Sequence, residues 1–339
     1  MSRYLGVDLH KNRFTVSFYD ADSKKHRVKS FELKEMSSFR KELRRDDVLG
    51  VESICNTRYF VEQIIDCVAE VKVINPSQFA VVAKSVKKTD KNDAKTIAEF
   101  LSKGMVPEAR LKEKAASQIC SLAGTRDKFV KLRTVFKNKI HNLLNSHGIN
   151  TAKEEFSSDK SLRIVQKYEL DAVVKIELAA LVREIKSLNR NIKDLDKALE
   201  EWGKKLDGYE NITSIKGIGK NSGVILLSVI GKIDDFESEK KLAAYFGIVP
   251  RVHQSNEKEW QGHITKRGSK LGRTTLVQCT LVAIKYSPYL RAFYDKIKIK
   301  KGSGKAIIAA AKKLLGIIYY TLKNRLIYKD FPMFVIKET

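Results

Sequence analysis

The chain has 339 residues, and its 65 lysines and arginines against 40 aspartates and glutamates give it a formal net charge of +25. Its length allows about two globular domains, and its 43% hydrophobic residues exclude a disordered chain. It contains no run of about 18 apolar residues, which excludes a membrane-spanning chain. The excess of positive charge indicates a polyanionic partner, and nucleic acid is the first candidate.

We expect neither a secretory signal nor a disulfide framework. Met1 leads directly into Tyr4-Leu5-Gly6-Val7-Asp8, without a charged start and an apolar core. The cysteines lie far apart and form no C-x-x-C pair, so we interpret them as reduced thiols of a cytoplasmic protein rather than as disulfides or zinc ligands. They are Cys55, Cys67, Cys120 and Cys279.

The first region predicts a mixed α/β domain. Short segments rich in β-branched and aromatic residues predict strands, with polar turns between them. These segments are Tyr4–Asp8, Phe14–Tyr19, His26–Phe31, Val48–Val51 and Val71–Ile74. A helical pattern over Tyr59–Ala69 separates the last two strands. Adjacent strands followed by strand–helix alternation predict a mixed sheet with helices on its faces.

The second region predicts long helices. Apolar residues recur at spacings of three and four, which is the heptad pattern of a coiled coil. They are Leu178, Leu181, Ile185, Leu188, Ile192, Leu195, Leu199 and Trp202. The expected partner is an earlier helix between Leu122 and Leu143. Two interpretations stay open, an antiparallel hairpin within one chain and a dimerisation arm.

The third region is predicted to be mostly helical and carries two motifs suited to phosphate contacts. Residues 207–339 hold 24 basic and 11 acidic side chains, which favours nucleic-acid binding, although basic surfaces also keep proteins soluble. The segment Ile215–Gly223 fits a helix-hairpin-helix whose backbone N–H groups could approach a phosphate, with Lys216, Gly217, Gly219 and Lys220 as the binding residues. The alternative is a purely structural turn.

A basic cluster opens a later helix, and it is the second of these motifs. Lys266, Arg267, Lys270 and Arg273 are suited to contacts with the nucleic-acid backbone. Gly302-Ser303-Gly304-Lys305 lacks the spacing of a phosphate-binding P-loop.

Four carboxylates of the first region stand where a metal site could form. Asp8 and Glu52 end predicted strands, where a carboxylate is costly to bury unless it is paired or binds a cation. Asp90 and Asp93 open a predicted helix three residues apart and therefore share a face. Carboxylates suit hard cations such as Mg²⁺, and a pair of such ions promotes phosphoryl displacement. Each acid alone also has an ordinary explanation as a helix cap, a first-turn acid, a turn residue or a surface residue.

The motifs resemble those of DEDD transposases of the insertion-sequence-110 family. The segments that match are Leu5–Lys11, Val51–Ser53, Asn75–Gln78, Lys84-Ser85 and Lys88–Ala94. Lys88-Thr89-Asp90-x-x-Asp93-Ala94 is the most specific of them, and the resemblance extends over nearly the whole chain. It implies an RNase-H-like domain close to RuvC-type Holliday-junction resolvases. In that domain Asp8, Glu52, Asp90 and Asp93 form the catalytic, Mg²⁺-binding tetrad.

The resemblance also implies three parts of the chain. These are an RNase-H/RuvC-like DEDD domain over 1–109, a helical coiled-coil linker over 110–206, and a mainly α C-terminal transposase domain over 207–339 with a helix-hairpin-helix and a nucleophilic serine. The family's nucleophile follows a Gly-x-Val-Pro segment, and Ser255 matches it here. Asn256 stands where the family has glycine, and asparagine tolerates the left-handed backbone that such a turn needs. Ser269 is the alternative nucleophile.

The activity implied by the resemblance is that of a transposase or recombinase of a mobile element. Such an enzyme cleaves and rejoins DNA strands with Mg²⁺ and a phosphoserine link. The implied partners are donor and target DNA, a structured non-coding bridge RNA, and further copies of the chain in a homodimer that assembles into a homotetramer. The implied location is the bacterial cytoplasm, associated with the nucleoid.

Two alternative functions stay open at this point. A structure-selective nuclease or a site-specific DNA invertase would use the same acids. A non-catalytic nucleic-acid scaffold would carry them as structural groups.

Overall fold

The computed structural model describes residues 3–82, 89–152, 156, 158–255 and 258–329. Its internal contacts divide the chain into two compact units, Met1–Leu111 and Lys112–Thr339. In the described part of the chain, no helix combines the length and the apolar character needed to cross a lipid bilayer.

The first unit contains a five-stranded mixed sheet. The strands are β1 (Arg3–Leu9), β2 (Arg13–Asp20), β3 (Lys25–Glu32), β4 (Val48–Glu52) and β5 (Glu70–Ile74). Their order across the sheet is β3-β2-β1-β4-β5. β1, β2 and β3 form an antiparallel meander, whereas β4 runs parallel to both β1 and β5. The predicted mixed sheet is therefore confirmed.

Helices flank this sheet. They are α1 (Met36–Arg40), α2 (Thr57–Glu62), α3 (Pro76–Val82) and α4 (Asp90–Ser102). The helix predicted over Tyr59–Ala69 is shorter than expected. Beyond Glu62 the backbone tightens into turns, because Gln63 and Ile64 donate to carbonyls only three residues earlier.

Two features of the first unit fix its interior. Phe14, Phe31, Phe39 and Phe60 form an aromatic cluster with ring centroids 5.0 to 6.0 Å apart. On α4, Ala94, Ile97, Ala98 and Leu101 are buried, and α4 packs against β1 and β2. A Cβ atom built on Gly6 of β1 would collide with the backbone of α4 at Ala94 and Ala98. The glycine therefore permits a close approach of helix and strand that no other residue would allow.

The second unit is mostly helical, as predicted. Its helices are α5 (Lys114–Asn145), α6 (Asp159–Ile164), α7 (Ala172–Gly203), α8 (Tyr209–Thr213), α9 (Lys220–Ile230), α10 (Glu239–Phe246), α11 (Lys270–Tyr286), α12 (Pro288–Lys301) and α13 (Ser303–Lys323). α9 is buried along its length from Gly223 to Ile230 and contacts α5, α7, α8 and α11. The sequence did not predict the antiparallel hairpin of β6 (Pro250–Ser255) and β7 (Lys258–Ile264).

The long helices α5 and α7 pack against each other within one chain. Arg126 Nε lies 2.9 Å from Asp196 Oδ1, and Lys139 Nζ lies 3.0 Å from Glu177 Oε1. Because the residue numbers rise on one helix as they fall on the other, the pair is antiparallel. The members of the apolar spacing on α7 from Leu178 to Leu199 are buried except Leu181 and Leu195, which are half-buried, whereas Trp202 at its end is 53% exposed. The buried seam therefore ends one step earlier than the sequence pattern does.

Candidate metal centre

Asp8 and Glu52 stand at equivalent positions of two neighbouring parallel strands. Val7 of β1 is the register partner of Val51 of β4, so the two acids follow at the same level. A Cβ atom on Gly6 or on its partner Gly50 would contact residues of α4. Because side chains alternate along a strand, Asp8 and Glu52 point to the same side of the sheet as those positions, which is the side that α4 covers.

The N-terminus of α4 brings two more acids to this side. Thr89 caps the helix by accepting a hydrogen bond at Oγ1 from the N–H of Asn92, at 3.3 Å. Asp90 and Asp93 lie in the first turn, where the partial positive charge of a helix start favours carboxylates. The close contact at Gly6 sets how near this turn lies to the end of β1.

Asp8, Asp90 and His10 form a compact group. The Nε2 atom of His10 lies 3.2 Å from Asp8 Oδ2 and 3.5 Å from Asp90 Oδ2. Ligand atoms of these three residues all lie within 4.8 Å of one another. Among the described residues, this is the one cluster of three or more such side chains close enough to share a metal ion. Arg13 Nη2 lies 3.0 Å from Asp90 Oδ2. The arrangement places two carboxylates and one imidazole around one small volume.

Sequence reasoning missed His10 as a member of the site. The signal that could have found it is its spacing, because a residue two positions after Asp8 at the end of a strand faces the same way as Asp8. The Nδ2 atom of Asn56 donates to the His10 carbonyl at 2.9 Å and fixes the backbone there.

The electrostatics of Asp8 favour a bound cation. The Asp8 side chain is only 14% exposed. Burial raises the pKa of its carboxyl above the ordinary value of 3.8, His10 opposes that shift, and the charges of Asp90 and Asp93 raise the pKa further. A divalent cation beside Asp8 would offset both the burial and the repulsion. Oxygen donors suit hard cations such as Mg²⁺ and Mn²⁺, and the imidazole nitrogen widens the set to ions such as Zn²⁺.

Glu52 and Asp93 lie at the edge of this group. Both are half-buried, but among the described residues neither belongs to the group whose ligand atoms lie within 4.8 Å of one another. Asp93 acts on Asp8 through its charge. Glu52 is anchored through its backbone, because the Thr57 hydroxyl donates to its carbonyl at 2.7 Å.

The segment predicted as a helix-hairpin-helix joins α8 to α9. Gly217 has a φ of 103°, and a Cβ atom there would lie 2.7 Å from the backbone of Ala283, so packing alone accounts for this glycine. Gly219 precedes α9, and a Cβ atom there would meet nothing within 4 Å. Lys216 is exposed, whereas Lys220 Nζ lies 2.9 Å from Glu200 Oε1.

The second basic motif surrounds the start of α11. Lys266, Arg267 and Lys270 are exposed. Arg273 is tied to the fold, because its Nη1 donates to the Phe246 carbonyl at 3.1 Å. Ser269 is the N-cap of α11, and its Oγ accepts from the N–H of Gly272 at 3.1 Å.

Ser255 is the last residue of β6. Its side chain lies outside the part of the structure that is described, as do Asn256 and the segment 83–88 with Lys84, Ser85 and Lys88.

Two family models match this chain. The model of DEDD transposases of the IS110 type matches residues 5–149, and the model described as the transposase IS116/IS110/IS902 family matches residues 209–295. The first unit thus defines a DEDD transposase. The chain belongs to the IS110 family of transposases, and this membership implies DNA as substrate and DNA cleavage as the general activity.

Individual relatives carry consistent names. The chain is 26% identical over 269 residues to the transposase for insertion sequence element IS1111A of Coxiella burnetii, covering 76% of this chain and 72% of that protein. It is 24% identical over 285 residues to the transposase for insertion sequence element IS1328 of Yersinia enterocolitica, covering 84% and 85%. It also matches the pilin gene-inverting protein of Moraxella lacunata over a shorter stretch. The two are 35% identical over 116 residues, which cover 33% of this chain and 36% of that protein.

Proposed function

We propose that the chain is a DNA recombinase of an insertion sequence, which cleaves and rejoins strands with a divalent cation and a serine nucleophile. The observation that supports this proposal most is that Asp8 and Asp90 come together at His10. Burial and the neighbouring acids disfavour the charge of Asp8, and a bound cation would offset both effects. Asp8, Glu52, Asp90 and Asp93 would hold the cation, and Mg²⁺ is the ion we propose.

The fold proposal is an RNase-H-like, RuvC-like domain. The strand order β3-β2-β1-β4-β5, with an antiparallel meander followed by two parallel strands, supports it. We further propose the division into a DEDD domain over 1–109, a coiled-coil linker over 110–206 and a transposase domain over 207–339. The helix-hairpin-helix before α9 and the basic residues before α11 would contact DNA backbones.

Ser255 is the proposed nucleophile. Its Oγ forms a bond to a DNA phosphorus, the bond from that phosphorus to a deoxyribose oxygen breaks, and the leaving oxygen takes up a proton while the serine loses one. The phosphoserine link keeps the bond energy for rejoining. A divalent cation held by the carboxylates would supply charge stabilisation for phosphoryl displacement. A bridge RNA that pairs with donor and target DNA would supply sequence choice, and a homodimer that assembles into a homotetramer would bring the DNA ends together.

Recombination in vitro tests this proposal. The purified chain, RNA that co-purifies with it, Mg²⁺ and donor and target DNA are combined, and products are compared for wild type, Asp8→Asn and Ser255→Ala. Asp46→Asn is the matched control, because Asp46 is exposed and outside the cluster. We expect both site variants to lose recombination and the covalent protein–DNA adduct seen on a denaturing gel, Asp8→Asn because the displacement loses its cation and Ser255→Ala because it loses its nucleophile. Full activity in both site variants would overturn the proposal.

DNA inversion is the second candidate function, and the match to a pilin gene-inverting protein favours it. The same residues would act, but on two sites that flank one segment. Two substrates distinguish the two functions by the sizes of the DNA products. One is a plasmid with two inverted sites that flank a segment, and the other is a pair of DNAs that carry the donor and the target site separately. Cleavage without an adduct would indicate a hydrolytic nuclease, and failure of Mg²⁺ to bind would indicate a non-catalytic scaffold.

A further inference from the structure

The hairpin of α12 and α13 ends in a lysine-rich tip. Between residues 296 and 305 the sequence has five lysines and no acid. We call these five residues the lysine tip: Lys296, Lys298, Lys300, Lys301 and Lys305. The segment begins directly after residue 295, the last residue matched by the second family model, so neither family match accounts for it.

The tip projects into solvent. All eight residues from Lys298 to Lys305 are exposed, and burial resumes at Ala306. The neighbouring acid, Asp295, is engaged by Arg291 at 2.9 Å. Within the described residues, no member of the lysine tip has a carboxylate oxygen within 4.0 Å in the ion pairs of the structure.

Helix electrostatics explain only part of this charge. Lys298, Lys300 and Lys301 occupy the last turn of α12, where the helix dipole favours cations. Lys305 lies in the first turn of α13, where the dipole disfavours a cation, and this turn has no acid and no side-chain cap. Lys296 and Lys300 are four residues apart on one helix and repel each other. The helix dipoles therefore account for the charge at the end of α12, but not for Lys305 or for the like-charge pair Lys296 and Lys300.

We propose that the lysine tip binds the sugar–phosphate backbone of duplex DNA. Lys296 to Lys301 spans about 7.5 Å of helix axis at 1.5 Å per residue, a length over which duplex DNA carries about four phosphates. Ile299, 86% exposed, is the single large apolar residue from Lys298 to Lys305, so the tip offers no apolar patch of the kind that protein partners need. This binding goes beyond the proposed chemistry and rests only on DNA as the substrate.

The experiment measures how the affinity of the full chain for duplex DNA depends on salt. The tip variant is K298Q/K300Q/K301Q/K305Q. The control, K160Q/K175Q/K193Q/K197Q, removes the same charge from exposed lysines on α6 and α7. Glutamine keeps the helix propensity of lysine, and equal thermal midpoints of the two variants verify folding. Each lost phosphate contact lowers the slope of log Kd against log salt by about 1.

We expect the tip variant to lose about 3 to 4 from that slope and the control less than about 1. Equal losses in the two variants, or no loss in the tip variant, would overturn the inference. A loss confined to structured RNA of the same length would assign the tip to RNA and overturn it as well. If the wild-type chain does not recombine DNA but the tip variant still loses more slope than the control, only the proposed function fails. If the wild-type chain binds no duplex DNA, both the proposed function and this inference fail.

Discussion

Asp8 is a carboxylate whose surroundings oppose its charge. Its pKa is raised chiefly by burial, so the ionised group destabilises the metal-free fold above that raised pKa, and the destabilisation vanishes below the ordinary value of 3.8. We expect Asp8→Asn to raise the free energy of unfolding by about 0.5–2 kcal/mol at pH 7 while it abolishes strand cleavage. Urea unfolding in chelator at pH 7 and pH 3, beside a cleavage assay, measures both effects.

The control for this prediction is Asp46→Asn, at an exposed acid, which should change stability by less than about 0.5 kcal/mol. An Asp8→Asn protein that is less stable than wild type at pH 7, or equally stabilised at pH 3, would contradict the argument.

The two candidate serines are separable by stability. Ser269 caps α11 through its hydroxyl, so Ser269→Ala should cost about 1 kcal/mol and leave the covalent adduct intact. Ser255→Ala should remove the adduct. Chemical unfolding and adduct detection on both variants give the answer, and an adduct that depends on Ser269 would reverse the assignment.

Among the elements, α4 reaches the end of β1 only because residue 6 has no side chain. We expect Gly6→Ala to cost about 3 kcal/mol, at the upper end for overpacking, because the added methyl group meets backbone rather than a flexible side chain. It should also weaken divalent-cation binding, since Asp90 and Asp93 move with the helix. Unfolding and metal titration measure the two effects.

Gly124→Ala on α5 is the matched control. A Cβ atom there meets nothing within 4 Å, so alanine should stabilise the helix by about 0.5–1 kcal/mol. Equal effects of the two substitutions would refute the packing argument.

The seam between α5 and α7 provides a second element-scale prediction. Ile185 is fully buried, whereas Trp202 is 53% exposed. Ile185→Ala should therefore cost about 2–5 kcal/mol, and Trp202→Ala much less despite the larger side chain. Urea midpoints of the two variants decide between a seam that extends to Trp202 and one that ends before it.

At the scale of the whole molecule, a net charge of +25 governs the encounter with DNA. If six to ten phosphates are neutralised, the affinity for non-specific duplex DNA falls by about 10³–10⁵ between 50 and 200 mM salt. Fluorescence anisotropy across that range measures the fall. A change of less than about tenfold would mean that the charge is not directed at DNA.

The sequence predicted the sheet and the mostly helical second unit, because short β-branched segments and apolar spacing report directly on burial. It missed the β6–β7 hairpin, since two strands within a helical region lack a repeated pattern. It also extended the seam to Trp202, because spacing alone does not show where the partner helix stops covering it.

The candidate site was predictable in part. The motif and the strand ends singled out Asp8 and Asp90, which the fold brings into one group with His10. His10 was missed because a single histidine after a strand has no pattern of its own. The roles of Glu52, Asp93 and Ser255 stay predictions.

The parallel pairing of Val7 with Val51 also limits how this domain can change in length. One residue inserted between Gly50 and Glu52 would turn the Glu52 carboxylate to the far side of the sheet, while two would return it to the original side about 6.6 Å further along. Loops around the strands can gain or lose single residues, but β4 can do so only in even numbers if its acid is to stay on the side of the sheet that α4 covers.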